Sequence, residues 1–291
     1  MQIIVAENAG FCFGVTRAVD ITIKQREGGN PGRTYTLGPL IHNNDVVDSL
    51  RKEGIYPLSF DEIDKLVEDD TIVIRSHGVT PETIDEIRNT GAKIIDATCP
   101  YVTSIQRKAR KYHDKGYQII IVGNKDHPEV IGINGWCYNS AVITRDGSDL
   151  DKLPQRVCIV SQTTERLSNY EKALKVVSEK CEDVLSFNTI CSATKERQAS
   201  AYEVSKDVGL MIVIGGRNSS NSKKLYEICS KNCGNTIFIE NSSELSAEAV
   251  KKMLSEGVEK VGVTAGASTP DWVINEVMEK LEELGREIDN D

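Results

Sequence analysis

A chain of 291 residues with 39% apolar side chains can bury a sizeable core, and its length suits two or three small domains. A net charge of -9 argues against the broadly basic face of a nucleic-acid binder, while leaving room for a local basic or polar pocket. No apolar run is long enough to span a bilayer, and Met1-Gln2-Ile3-Ile4-Val5 lacks the positive start of a signal peptide, so a cytoplasmic protein without a membrane partner is expected.

The first predicted strand, Ile3 to Ala6, runs into Ala9-Gly10-Phe11-Cys12-Phe13-Gly14-Val15. Val15, Val19 and Ile23 then recur at the spacing of one helix face, so Cys12 sits where a strand hands over to a helix. Gly10 and Gly14 let a bulky group approach the backbone. Unpaired N–H groups at a helix start favour the thiolate, the form of cysteine that binds metal. A strand over Tyr35-Thr36-Leu37 opens the loop Gly38-Pro39-Leu40-Ile41-His42-Asn43. Another, Ile72-Val73-Ile74, opens Arg75-Ser76-His77-Gly78, and Thr80-Pro81-Glu82 marks a helix start.

The pattern then repeats. Ile94-Ile95-Asp96-Ala97-Thr98-Cys99-Pro100 is a strand, a cysteine and a proline at the first helical position, where its missing N–H costs nothing. Val102, Ile105, Ala109 and Tyr112 line one side of the helix that follows. Ile119 to Val122 leads into Gly123-Asn124-Lys125-Asp126-His127-Pro128-Glu129. Val157 to Val160 leads into Ser161-Gln162-Thr163-Thr164, with Thr164-Glu165 read as a helix start. A third round begins with Val184 to Cys191 and a polar helix through Ala201, Val204 and Val208. Met211 to Ile214 then opens Gly215-Gly216-Arg217-Asn218-Ser219-Ser220-Asn221-Ser222. Val261 to Thr264 opens Ala265-Gly266-Ala267-Ser268-Thr269-Pro270, and Thr269-Pro270-Asp271 marks the last helix start. Cys99 follows Cys12 by 87 positions and Cys191 follows Cys99 by 92. His42, His127 and Ser219 follow their cysteines by 30, 28 and 28.

Alternating strands and helices of this kind imply an α/β chain with mostly parallel sheets. We expect three pseudo-equivalent small domains, residues 1–97, 98–190 and 191–291, arranged as a trefoil-like pseudo-threefold around a central cluster. Ligands of parallel sheets bind beyond the carboxyl ends of strands, and every residue singled out above lies at such an end.

Three thiolates spread one per domain do not resemble a zinc ribbon, whose ligands come in local pairs. They suit a [4Fe-4S] cluster with one iron left without a protein ligand, able to act as a Lewis acid and to pass electrons. Cys229 and Cys233 read as a partly buried helix face, and Cys137, Cys158 and Cys181 as small hydrophobes. His42, His77 and His127, with Thr163, Ser219, Ser220, Asn221 and Ser268, are short donors of little net charge. Together with Gly-rich loops at helix starts they suit a phosphate or diphosphate. The fourth histidine, His113, reads as a solvated helix end. Glu129 can deliver a proton into such a site; its bland alternative is a carboxylate favoured by the helix dipole.

The same motifs, in order along the whole chain, resemble the iron–sulfur family of hydroxymethylbutenyl diphosphate reductases of the non-mevalonate isoprenoid pathway. The match includes Asp96-Ala97-Thr98-Cys99-Pro100, His127-Pro128-Glu129, Gln162-Thr163-Thr164, Ile190-Cys191-Ser192-Ala193-Thr194 and Gly266-Ala267-Ser268-Thr269-Pro270. The resemblance implies that Cys12, Cys99 and Cys191 hold a [4Fe-4S] cluster whose unique iron binds the allylic hydroxyl. It implies that the His, Ser and Asn loops grip the diphosphate, that Thr163 serves the hydroxyl and proton side, and that Glu129 donates the proton. Electrons would come from a ferredoxin or flavodoxin. Rival readings are a non-redox hydratase using the cluster as a Lewis acid, a cluster-based redox sensor, and a phosphate-binding protein with structural cysteines.

Overall fold

Short runs rich in β-branched residues, such as Thr-Ile-Val-Ile and Leu-Met-Ile-Val-Ile, are buried at every position, as in parallel strands covered on both faces. They belong to a computed structural model that describes residues 1–27 and 32–289. From the amino end, β1 (Gln2–Val5) precedes α1 (Phe13–Glu27); then come β2 (Thr34–Leu37), α2 (Asn44–Lys52), β3 (Ile55–Leu58), β4 (Thr71–Ile74), α3 (Pro81–Asn89) and β5 (Lys93–Asp96). The middle of the chain supplies α4 (Pro100–His113), β6 (Gln118–Val122), α5 (Pro128–Gly135), β7 (Val142–Thr144), β8 (Arg156–Ser161), α6 (Leu167–Lys180) and β9 (Asp183–Ser186). The last part adds α7 (Ser192–Lys206), β10 (Leu210–Ile214), α8 (Ser220–Asn232), β11 (Thr236–Ile239), α9 (Ala247–Ser255), β12 (Lys260–Ala265) and α10 (Asp271–Asp289).

The strands form three parallel four-stranded sheets of one topology: β5-β4-β2-β3, β9-β8-β6-β7 and β1-β12-β10-β11. The α/β class with small parallel sheets is therefore as expected. Splitting the chain at 97/98 and 190/191 puts Gln2–Val5 with the first stretch. In the structure this strand pairs with β12, with Gln2 opposite Lys260. There it occupies the edge that β5 and β9 fill in the other two sheets. Each sheet thus ends on a strand that leads to one of the three cysteines, β1 to Cys12, β5 to Cys99 and β9 to Cys191.

The chain forms two compact units. One comprises Met1–Phe13, His42–Val46 and Ser192–Asp291, and contains the β1-β12-β10-β11 sheet. In it Leu210, Ile212 and Ile214 pack with Val273, Val277 and Leu281 of α10, while Met211 and Val213 pack with Ala201 of α7 and Leu225 of α8. The other comprises Gly14–Ile41 and Val47–Cys191, and contains the remaining two sheets. Here Ile119 and Ile121 join Ile105 and Ala109 of α4, and Ile120 and Val122 join Tyr170, Ala173 and Val177 of α6. Each fully buried side chain of this size stabilises the fold by roughly 1.5–3 kcal/mol.

Helix starts follow the sequence signals with one exception. Thr80 caps α3 by accepting the Thr83 N–H at 3.2 Å. Thr164-Glu165 does not open a helix; α6 begins at Leu167 behind Arg166. The expected capping groups bond within the loop and to the first turn of α6 instead. The Thr164 hydroxyl accepts from Gln162 Nε2 at 2.9 Å, and the buried Glu165 accepts from the Arg166 N–H at 2.9 Å and from Asn169 Nδ2 at 3.0 Å.

Candidate active site

The three cysteines of the repeat occupy one structural position. Each is the last residue before a helix, α1, α4 or α7, and each follows an edge strand. Each backbone N–H is tied to the loop beyond the neighbouring inner strand: Cys12 to the Ala267 carbonyl at 3.3 Å, Cys99 to that of Ser76 at 3.0 Å, and Cys191 to that of Thr163 at 3.0 Å. All three residues are half-buried. Burial pushes the thiols of Cys137, Cys158 and Cys229 up to about 11, 12 and 12, which holds them protonated and unreactive.

In the unit containing Cys12, Gly10 adopts φ +96°, and a Cβ there would lie 3.0 Å from Ile274 Cδ1 and 3.2 Å from Asp271 Oδ1. Glycine lets the cysteine loop lie against the start of α10. Arg197 of α7, itself buried, donates to the Gly10 carbonyl at 2.7 Å and fixes the loop from the other side. At the carboxyl end of β10, Ser219 caps α8 by accepting the Ser222 N–H at 3.3 Å. Ser220 opens that helix. Asn221 follows at 3% exposure, and neither polar atom of its carboxamide has a partner among the described residues. A Cβ on Gly216 would collide with the His42 carbonyl, so the absence of one lets the two loops touch. Ser268, beyond β12, donates to that same carbonyl at 3.3 Å. Cys12, His42, Ser219 and Ser268 therefore share the loops at the carboxyl edge of this sheet with Ser220 and Asn221 of the first turn of α8.

The second unit holds the remaining residues. The rings of His77 and His127 meet edge to face with centroids 5.3 Å apart. His127 caps α5, its Nδ1 accepting the Glu129 N–H at 3.2 Å. In the neutral ring the proton must then sit on Nε2, which becomes a donor. Glu129 is 2% exposed. Its Oε1 accepts the Thr163 N–H at 2.6 Å and its Oε2 accepts the Thr163 hydroxyl at 2.7 Å. The carbonyl of the same Thr163 holds the Cys191 N–H, so acid, hydroxyl and cysteine are joined through one residue. His113 ends α4 half-buried, with its ring 5.1 Å from that of Tyr138.

Three arginines escaped the sequence reading. Arg75 is 7% exposed, lies over the Phe60 ring with its guanidinium carbon 5.4 Å from the centroid, and has no partner for Nε among the described residues. Desolvation lowers its pKa to about 10. It rests against Gly38, whose φ is +67° and whose Cβ would lie 3.1 Å from Nη1. Arg17 donates to the Thr98 carbonyl at 3.2 Å and so braces the residue before Cys99, much as Arg197 braces the Cys12 loop. The available signal was an arginine five or six positions past Cys12 and past Cys191.

Three soft sulfur donors at equivalent positions fit the ligand set of a thiolate-held cluster, and in the unit containing Cys12 the buried Asn221 carboxamide suits a polar ligand.

The model of the LytB protein family matches residues 3–282. The chain is 53% identical over 281 residues to the 4-hydroxy-3-methylbut-2-enyl diphosphate reductase of Clostridium tetani, covering 97% of this chain and 44% of that protein. It is 52% identical over 284 residues to the protein of the same name from Clostridium perfringens (strain 13 / Type A), covering 97% and 99%. It therefore spans less than half of the first relative and nearly all of the second. A solved (E)-4-hydroxy-3-methyl-but-2-enyl diphosphate reductase, described as the terminal enzyme of the non-mevalonate pathway, is 39% identical with a TM-score of 0.71, covering 97% of this chain and 100% of that one. The reductase structure from Plasmodium falciparum is 25% identical with a TM-score of 0.86, covering 96% and 87%.

Proposed function

The chain belongs to the LytB family, and from that premise we propose that it reduces 4-hydroxy-3-methylbut-2-enyl diphosphate to isopentenyl and dimethylallyl diphosphate. The allylic C–O bond breaks, two electrons and two protons enter, and the oxygen leaves as water. One of the two protons ends on carbon, at either end of the allylic system.

In this reading Cys12, Cys99 and Cys191 hold a [4Fe-4S] cluster, one from each of the stretches 1–97, 98–190 and 191–291. When bound, the cluster supplies electrons and a Lewis-acidic iron. His42, His77, His127, Ser219, Ser220, Asn221 and Ser268 bind the diphosphate. Their donors are short and mostly neutral, and the first N–H groups of α8 add the positive end of a helix.

Glu129 moves the proton. The Thr163 N–H can only donate, so it fixes Oε1 as an acceptor. The Thr163 hydroxyl can donate or accept, so the mobile proton lies between Oε2 and Oγ1. Electrons come from a carrier such as a ferredoxin or flavodoxin, in the cytoplasm. Among the described residues no helix is long and apolar enough to cross a membrane.

The observation that carries this reading is the shared position of the three cysteines, one of which is joined through Thr163 to a buried carboxylate. Its test is iron and sulfide content with an anaerobic EPR spectrum, with and without the allylic diphosphate, and turnover driven by dithionite-reduced methyl viologen. Iron and sulfide in the protein, a spectrum that changes with substrate, and turnover that needs the reductant are expected. A colourless, iron-free anaerobic preparation would favour a phosphate-binding protein. Turnover without reductant would favour a hydratase.

A further inference from the structure

Although the chain carries 44 acidic against 35 basic residues, α4 contains Arg107, Lys108, Arg110 and Lys111 and no acid. Arg110 is paired with Asp114 at 3.3 Å. Arg107, Lys108 and Lys111 instead join Arg17 of α1 around a cavity of about 420 Å³. Among the described residues none of these four cations is ion-paired. Arg17 bonds a carbonyl, Lys108 donates to the Ser104 hydroxyl at 2.7 Å, and Lys111 lies 5.4 Å from the centroid of the Tyr112 ring. The carboxylate in the wall, Asp96, accepts the Thr98 N–H at 2.9 Å. The wall also includes Thr98 and Pro100, the two residues that flank Cys99.

We propose that this basic cavity is the docking surface for an acidic one-electron carrier protein, which delivers its electrons beside Cys99. The proposal rests on the reductive reading, which requires two electrons from outside the substrate. The cations lie on an open surface, with Arg107 and Lys111 exposed on one face of α4. That arrangement matches a spread of carboxylates better than a compact phosphate, which calls for convergent buried donors. An acidic carrier and a chain of net charge -9 repel each other at long range, so a local basic patch selects the face on which encounter succeeds. A docked carrier would lie one residue away from a proposed cluster ligand.

The test reverses two exposed charges in the holoenzyme, Arg107→Glu with Lys111→Glu. The control, Lys231→Glu with Lys260→Glu, changes net charge equally at exposed sites elsewhere. With reduced ferredoxin as donor, the α4 variant should show a KM for ferredoxin raised about tenfold or more, whereas turnover with methyl viologen stays within about twofold of wild type. Direct titration with ferredoxin should show the same loss of affinity, and wild-type binding should weaken as salt rises. Equal effects in the two variants, or competition by a single-stranded oligonucleotide at ferredoxin concentrations, would overturn the proposal. Absence of viologen-driven turnover in wild type would sink the reductase reading; the ferredoxin titration would still decide the docking surface.

Discussion

Glu129 accepts two hydrogen bonds from Thr163, and only the one to the hydroxyl can relay a proton. Replacing it with glutamine keeps the shape and removes the acid. Glu129→Gln should lower kcat roughly 10²–10⁴-fold and leave the KM for the diphosphate little changed, as read by anaerobic steady-state kinetics. Asn221 tests the proposed diphosphate grip. A buried carboxamide without partners among the described residues costs stability, about 1–3 kcal/mol for the group left unsatisfied. Asn221→Leu should therefore raise the denaturant midpoint while raising KM for substrate; a variant both less stable and catalytically normal would show that the carboxamide serves folding alone. Asn221 and Glu129 were both visible in the sequence because each stands in a polar stretch that follows an apolar run. Arg75 was not, because nothing in Arg75-Ser76-His77-Gly78 tells that the arginine folds over Phe60 and leaves water.

Strand–loop–helix order was legible from residue types alone, since apolar runs of four to six residues alternate with amphipathic stretches. Thr80-Pro81-Glu82 marked a helix start that the structure has. Thr164-Glu165 carried a similar signal yet lies ahead of α6, where Glu165 turns its carboxylate to the Arg166 N–H and to the Asn169 side chain in the first helical turn. A cap signature reports that the groups are present and says nothing of which N–H they reach. Close approach between elements is likewise hidden. Gly135 ends α5 against the residue that caps α3, and a Cβ there would lie 2.5 Å from Thr80 Cβ. Since the cap fixes Thr80, Gly135→Ala should destabilise the protein by about 1–3 kcal/mol in equilibrium unfolding. Gly234, where a Cβ meets nothing within 4 Å, should tolerate the same change with a far smaller loss.

For the molecule as a whole, the threefold pattern was legible through the cysteine offsets, but the partner of the first strand was not. Periodicity identifies Gln2–Val5 as a strand and cannot say which sheet takes it; the vacancy beside β12 decides. The cysteine roles are a whole-molecule prediction too. Cys12→Ser, Cys99→Ser and Cys191→Ser should each cut iron and sulfide content and abolish turnover, whereas Cys137→Ser and Cys181→Ser should leave both near wild type. Equal damage in all five would refute the division. The edge position of β1 has a further bearing on how the polypeptide is made. Gln2 leaves the ribosome 258 residues ahead of Lys260, its neighbour in the sheet. Such a pairing has very high contact order and must close late. Nascent chains arrested before residue 260 should therefore present an amino-terminal segment open to proteolysis, and protection should arrive only once β12 has emerged.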